Sequence, residues 1–219
     1  MEGLKKIINK NEAKVFCIGF NKTGTTSLEA VLKGFGYNIG DQTIGETLIK
    51  SWYHRDFKDI IKLSKTATAF QDVPYSLPYT YLFLDRYFKN AKFILTERDS
   101  AEQWYKSIVK YHSKLWSNGV KAPTTEQLKN GNYRYKGFAY DYMRFVYGEI
   151  VETNPYHKET LIEAYTNHNQ SVKAYFESRP EKLLTINISN ASDYGKLCAF
   201  LNKPQSREDF PWENKTTIL

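Results

Sequence analysis

Two rhythms of apolar residues take turns along this chain. Short, largely apolar runs at Val15-Phe16-Cys17-Ile18, Ala67 to Gln71, Lys92 to Glu97 and Leu183 to Ile188 predict buried strands. Between them the spacing lengthens to a helical period. Leu28, Val31, Leu32 and Phe35 predict a helix from Thr25 to Phe35, closed by Gly36, and residues 42–63 predict one or two amphipathic helices. Leu77 to Phe88 predicts another. Ser100 to Leu115 should form a helix with Trp104, Ile108, Tyr111 and Leu115 on one face and a line of Lys106, Lys110 and Lys114 on another. Residues 116–137, with Gly, Asn, Pro and Thr and little periodicity, predict a long surface loop with a helical turn near Thr125 to Leu128. Two helices follow, Tyr140 to Val151 and Pro155 to Ser178, the second with Asn154 as N-cap and Pro155 at its first position. Tyr194 to Leu201 predicts a last helix.

Strands that alternate with helices imply a parallel α/β sheet joined by right-handed crossovers. Ligands bind such sheets outside the carboxyl ends of their strands. Three polar features sit at such ends: Lys22 to Ser27 after the first strand, Asp72 after the second and Arg98 after the third. They should converge on one crevice.

The first of these carries the most chemistry. In Gly19-Phe20-Asn21-Lys22-Thr23-Gly24-Thr25-Thr26-Ser27 a strand runs into a loop of glycine, lysine and hydroxyls that opens a helix. Backbone N–H groups aimed at one point, together with the positive end of the helix dipole, form an oxyanion cradle. Gly24 lets the backbone approach the anion, Thr23, Thr25, Thr26 and Ser27 offer hydroxyls, and Lys22 adds a charge. Gly19 and Gly24 have the spacing of a Walker A loop, but Thr25 stands where its lysine belongs, which weakens an ATP or GTP reading.

Composition narrows the picture a little. The 219 residues suit one domain covering 1–219, with residues 116–180 as a helical and loop elaboration. No apolar run of about 18 residues and no charged-then-apolar leader is present, so a soluble, cytoplasmic protein is expected, with no membrane partner. The net charge of +7 favours anionic ligands, yet the lysines are spread out and no nucleic-acid recognition motif appears, so nucleic acid is not an expected partner. Cys17 and Cys198 fall at apolar positions and should be buried thiols, and His54, His112, His157 and His168 lack ligand spacing, so no metal is expected.

The order lysine, hydroxyl, glycine, threonine, threonine resembles the 5′-phosphosulfate loop of the sulfotransferases that use 3′-phosphoadenylyl sulfate (PAPS). Phe93 to Ser107 resembles the second signature of that family, in which a strand-end arginine and a helical serine bind the 3′-phosphate. Here these are Arg98 and Ser107, nine residues apart where the family usually has eight. The stretch from Leu183 through Leu197 to Lys203-Pro204, and on to Phe210-Pro211-Trp212 and Lys215, is similar to the tail of the small bacterial-type sulfotransferase-like proteins, so that the resemblance spans about residues 14–215. It implies a P-loop NTPase-like three-layer sandwich with a parallel central sheet flanked by helices. It also implies transfer of a sulfuryl group from PAPS to a hydroxyl or amine of a small-molecule or carbohydrate acceptor, without a metal.

In that reading Lys22, Thr23, Gly24, Thr25, Thr26, Ser27, Arg98, Ser107 and Lys215 bind the nucleotide, and Lys22 also stabilises the leaving phosphate. The family's general base is a histidine or a carboxylate. Asp72 is the first choice, on the expected ligand edge, with a turn-capping role before Pro74 as its alternative; His54 and His112 are the other candidates. A P-loop kinase or NTPase shares the fold and stays open, as does a non-catalytic nucleotide-binding relative. Acceptor identity and oligomeric state are not written in the sequence. The loops around 38–66 and 116–137 are expected to shape the acceptor pocket.

Overall fold

The computed structural model describes residues 13–211. Four parallel strands form the central sheet: β1 (Val15–Cys17), β2 (Ala69–Phe70), β3 (Lys92–Thr96) and β4 (Leu183–Ile186), in the order β2-β1-β3-β4. Because side chains alternate across a strand, the sheet separates two apolar clusters. Phe16, Phe70, Phe93 and Leu95 face one of them, while Val15, Cys17, Ala69 and Ile94 face the other. Helices α1 (Thr25–Gly34) and α10 (Ser192–Leu201) cover the second face through Leu28, Val31, Leu32, Tyr194 and Leu197. The first face lies against α5 (Thr80–Tyr87), α6 (Ala101–Trp116) and α9 (Lys158–Phe176), with Leu84, Trp104, Tyr165 and Phe176 all buried. This is the expected three-layer α/β sandwich.

The chain leaves β1 for β2 on one side and later for β3 on the other, so the strand order reverses above β1. That switch point is where open parallel sheets leave a crevice. The loop after β1 stands there, and it is held close to β3: a Cβ on Gly19 would lie 2.3 Å from Thr96 Oγ1 and 2.4 Å from Thr96 O. Only glycine lets the loop leave the sheet along that path.

Several expected elements change shape under packing. Residues 42–63 fold as three short helices, α2 (Gln42–Thr47), α3 (Ile49–Tyr53) and α4 (Lys58–Leu63), and the second strand keeps only two ladder residues. The long loop contains a true helix, α7 (Thr125–Asn130), fixed by a reciprocal capping box between Thr124 and Gln127. Helix α8 (Phe138–Tyr147) stops at Gly148, where φ is 82°, and a 3₁₀ turn over Glu149–Glu152 follows. Asn154 and Pro155 do not cap α9. They form a turn closed by His157 N–H donating to Asn154 O at 3.2 Å, because buried Tyr156 is drawn inward to His112, and the helix begins only at Lys158. Both cysteines are free and buried, and among the described residues no helix is long and apolar enough to cross a membrane.

Candidate active site

The loop after β1 is braced through its carbonyl groups. Thr23 Oγ1 donates to Phe20 O at 2.5 Å, Trp104 Nε1 donates to Asn21 O at 3.1 Å, and Arg98 Nε donates to Lys22 O at 2.7 Å. In a trans peptide the N–H points opposite its C=O. Each of these carbonyls, engaged by Thr23, Trp104 or Arg98, turns the N–H of the residue that follows it, Asn21, Lys22 or Thr23, to its opposite side. Gly24 then takes φ 99°, and α1 starts at Thr25, with its first-turn N–H groups and the positive end of its dipole at the loop. The first-turn N–H groups of α1 and those of the loop are therefore the backbone donors the expected anion site would use.

Two of the loop's parts act differently from expectation. The Thr23 hydroxyl is fully buried; since its one hydrogen goes to Phe20 O, it accepts from Thr96 Oγ1 at 2.5 Å. That side chain pins the loop and does not face the crevice. Gly24 is required on its packed side as well: a Cβ there would lie 2.7 Å from Ile188 Cγ1, in a left-handed conformation that L side chains disfavour. Thr25 and Thr26 line the crevice, and Ser27 is buried in the first turn of α1.

Lys22, with φ 69°, places Nζ 3.4 Å from the centre of the Tyr111 ring, a cation–π contact. Burial lowers its pKa and so does the Arg98 charge, while Asp72 works in the opposite direction. Burial likewise lowers the pKa of Arg98, whose backbone N–H donates to Tyr165 Oη at 3.0 Å. Arg98 is thus a clamp on the loop at the end of β3. Ser107 Oγ donates back to Gln103 O at 2.9 Å, one helical turn earlier, and the residue is half-buried. Neither Arg98 nor Ser107 lines the cavity that Lys22 enters. Lys215 lies outside the described residues.

That cavity, of about 110 Å³, joins the cradle to a second set of groups. Asp72, at the end of β2, adopts φ 62°, a costly conformation for a residue other than glycine and one that tends to mark functional positions. Its Oδ1 accepts from Val73 N–H at 2.8 Å, and Ser76 N–H donates to its carbonyl, so the turn-forming role is real. Its other oxygen has only a long contact of 3.5 Å from Gln42 Nε2. Burial, reinforced by the negative charge of Glu46, pushes the Asp72 carboxyl up to about 6. Turn and titrating carboxylate are the same residue.

A chain of carboxamides links the carboxylates. Gln71 Nε2 donates to Glu29 Oε2 at 2.8 Å and to Gln42 Oε1 at 3.0 Å, and Gln42 Nε2 donates to Glu46 Oε1 at 2.9 Å. Glu46, 5% exposed, is also paired with Arg134, which reaches it from the segment after α7. Tyr111, Trp116, Tyr133, Phe138 and Tyr142 supply the aromatic wall.

Of the two histidines weighed as a base, His54 is exposed and lies off the cavity. His112 does line it. The core stripe of α6 runs Trp104, Ile108, His112, while Tyr111 and Leu115 sit at the surface of the cavity, 36% and 41% exposed. His112 Nδ1 shares a 2.9 Å hydrogen bond with Tyr156 Oη, and burial, aided by the Lys22 charge, brings its pKa down to about 3. It is neutral at physiological pH and a weak base. The Lys106, Lys110 and Lys114 line is not part of this wall. Glu46, Gln71 and Arg134 were not legible as site residues, since an acid in a short helix and a glutamine beside Asp72 carry no distinctive spacing.

These features agree with what the chain resembles as a whole. No curated protein matches it. The family model of the sulfotransferase domain matches residues 14–218, a span that takes in the braced loop, Asp72, the Arg98 clamp and the covering helices. By that match across nearly its full length the chain belongs to the sulfotransferase family, whose chemistry is sulfuryl transfer.

Proposed function

We propose that this chain carries a sulfuryl group from PAPS to a hydroxyl or amine of a small-molecule or carbohydrate acceptor. The observation that carries the reading is that Lys22 and Asp72, a cation from the cradle and a carboxyl raised to about 6, line one cavity. Sulfuryl transfer needs both. The acceptor must lose a proton as its oxygen or nitrogen bonds to sulfur, and the electron pair of the breaking S–O bond must be stabilised on the leaving phosphate.

Asp72 is the base in this scheme. A carboxylate whose conjugate acid titrates near 6 is largely ionised at neutral pH yet basic enough to take a proton, whereas His112 at about 3 is a far weaker acceptor. Lys22, Thr25, Thr26 and the N–H groups at the start of α1 hold the negative charge that arrives on the phosphate. No metal is needed for that task, since the cradle and Lys22 already provide preorganised positive charge. Arg98 would serve the 3′-phosphate through the guanidinium nitrogens beyond Nε, with Ser107 and Lys215 as further contacts, while holding the loop in shape. The cytoplasm is the expected compartment.

The test is turnover of PAPS with a panel of acceptors. The wild type should form sulfated product and adenosine 3′,5′-bisphosphate, and Lys22→Met should lose about a hundredfold or more in rate. Wild-type turnover by the Lys22 variant would contradict the mechanism.

A further inference from the structure

The cavity holds two opposite charges that do not meet. Lys22 and Asp72 both line it and each feels the other's charge, yet among the described residues Lys22 Nζ makes no ion pair. Asp72 is open to one, since its Oδ2 has only the 3.5 Å contact from Gln42 Nε2. In a space of about 110 Å³ an unheld lysine would close on such a carboxylate. What holds it elsewhere is visible at both ends of the residue. The Lys22 backbone is fixed at φ 69° with its carbonyl clamped by Arg98 Nε at 2.7 Å, and Nζ sits 3.4 Å from the centre of the Tyr111 ring. Tyr111 is set in place by α6, and among the described residues its hydroxyl has no hydrogen-bond partner, so the ring face is the part that is engaged.

The kind of partner matters for the chemistry. A carboxylate would neutralise the ammonium and be held ionised by it, which makes the carboxylate a weaker base. An aromatic face attracts the cation and leaves its charge whole. We propose that Tyr111 is a positioning residue: its ring holds the Lys22 ammonium apart from Asp72, so that the cation stays available to the leaving phosphate and the carboxylate to the acceptor's proton. This rests on the sulfuryl-transfer reading of the same cavity and adds the residue that keeps its two charges separate. Asp72 is faced by Glu29 of α1, Glu46 of α2, Lys22 of the loop, Tyr111 of α6, Tyr133 of the segment after α7 and Tyr142 of α8, while Lys22 in turn faces Arg98 and the neutral His112. Arg134 is engaged by Glu46, so Lys22 is the cation that can move onto Asp72.

The experiment follows both charges by NMR in the full chain, isotope-labelled at lysine Cε and aspartate Cγ, with the two resonances assigned by their loss in Lys22→Met and Asp72→Asn. In the wild type and in Tyr111→Phe the Lys22 ε-methylene protons should be shifted upfield by the ring, and Asp72 should titrate at about 6. In Tyr111→Leu the upfield shift should vanish and the Asp72 titration should move down by about 1–2 pH units, the effect of an opposite charge brought alongside. With PAPS saturating and the most active acceptor of the panel, kcat should fall about 3- to 30-fold in Tyr111→Leu, the worth of one cation–π contact, and stay within about twofold in Tyr111→Phe. An unshifted Lys22 resonance in the wild type overturns the contact and needs no variant at position 111 to fold. An Asp72 titration unmoved in Tyr111→Leu overturns the separation of charges with sulfuryl transfer still standing. A wild type that fails to bind adenosine 3′,5′-bisphosphate overturns the donor reading beneath it, and the two resonances still decide where Lys22 is held.

Discussion

Asp72 provides the sharpest prediction because its two roles pull against each other. Burial and the Glu46 charge raise its pKa from an ordinary 3.8 to about 6, so the fold prefers the protonated carboxyl. A carboxylate whose folded pKa is raised takes stability away as pH climbs from the unfolded value through the folded one. At pH 7.5 the difference of about two pH units corresponds to about 3 kcal/mol of destabilisation by the ionised group, and at pH 5 to about half of that. Asp72→Asn removes the charge, keeps an oxygen for the Val73 N–H, and places at φ 62° a residue that tolerates left-handed backbone. It should therefore unfold at a higher temperature than the wild type at pH 7.5, by up to about 6–12 °C for a chain of this size. The gain should shrink markedly at pH 5, while transfer falls by a factor of about a hundred or more. Thermal unfolding by circular dichroism at both pH values, with a turnover assay, reads all three. A variant no more stable than the wild type at pH 7.5, or equally stabilised at both, would refute the claim that a half-buried, desolvated ionised carboxylate sits here.

Other consequences follow from the same geometry. In the wild type kcat/KM should fall as pH drops through about 6, since protonated Asp72 cannot accept a proton, and Glu46→Gln should move that acid limb lower by removing a charge that raises Asp72; an unmoved limb would exclude the coupling. Arg98→Lys loses the Nε donor to Lys22 O and the planar fork, and should weaken bisphosphate binding by about 10- to 100-fold in calorimetry. Gly24→Ala combines a left-handed alanine with a clash at Ile188 and should cost about 2–5 kcal/mol in denaturant unfolding, a loss that near-wild-type stability would disprove.

The strands, the loop that opens α1 and the meeting of Lys22 with Asp72 in one cavity were legible because each rests on local signals, an apolar run, a glycine-hydroxyl loop, a polar residue closing a strand, whereas Arg98 braces Lys22 O without lining that cavity. What escaped depended on contacts distant in sequence. Nothing near Thr23 says that its hydroxyl is taken by Phe20 O and Thr96, and nothing near Pro155 says that Tyr156 is pulled toward His112 strongly enough to turn a helix start into a turn. The phase of α6 was misjudged for a related reason: Tyr111 and His112 are both half-polar aromatics, and only the packing of Trp116 and Tyr156 around His112 decides which goes inside. The carboxamide chain from Glu29 to Glu46 joins α1, α2 and the end of β2, a meeting that the fold makes and the sequence spacing does not announce.

The central claim is that the braced loop and Arg98 form a PAPS site, and its most direct test is calorimetric titration of the wild type with adenosine 3′,5′-bisphosphate and, separately, with ATP and magnesium. Tight metal-free binding of the bisphosphate, weakened in Arg98→Lys, is the predicted result. Binding of magnesium ATP alone, or of neither nucleotide, would contradict it.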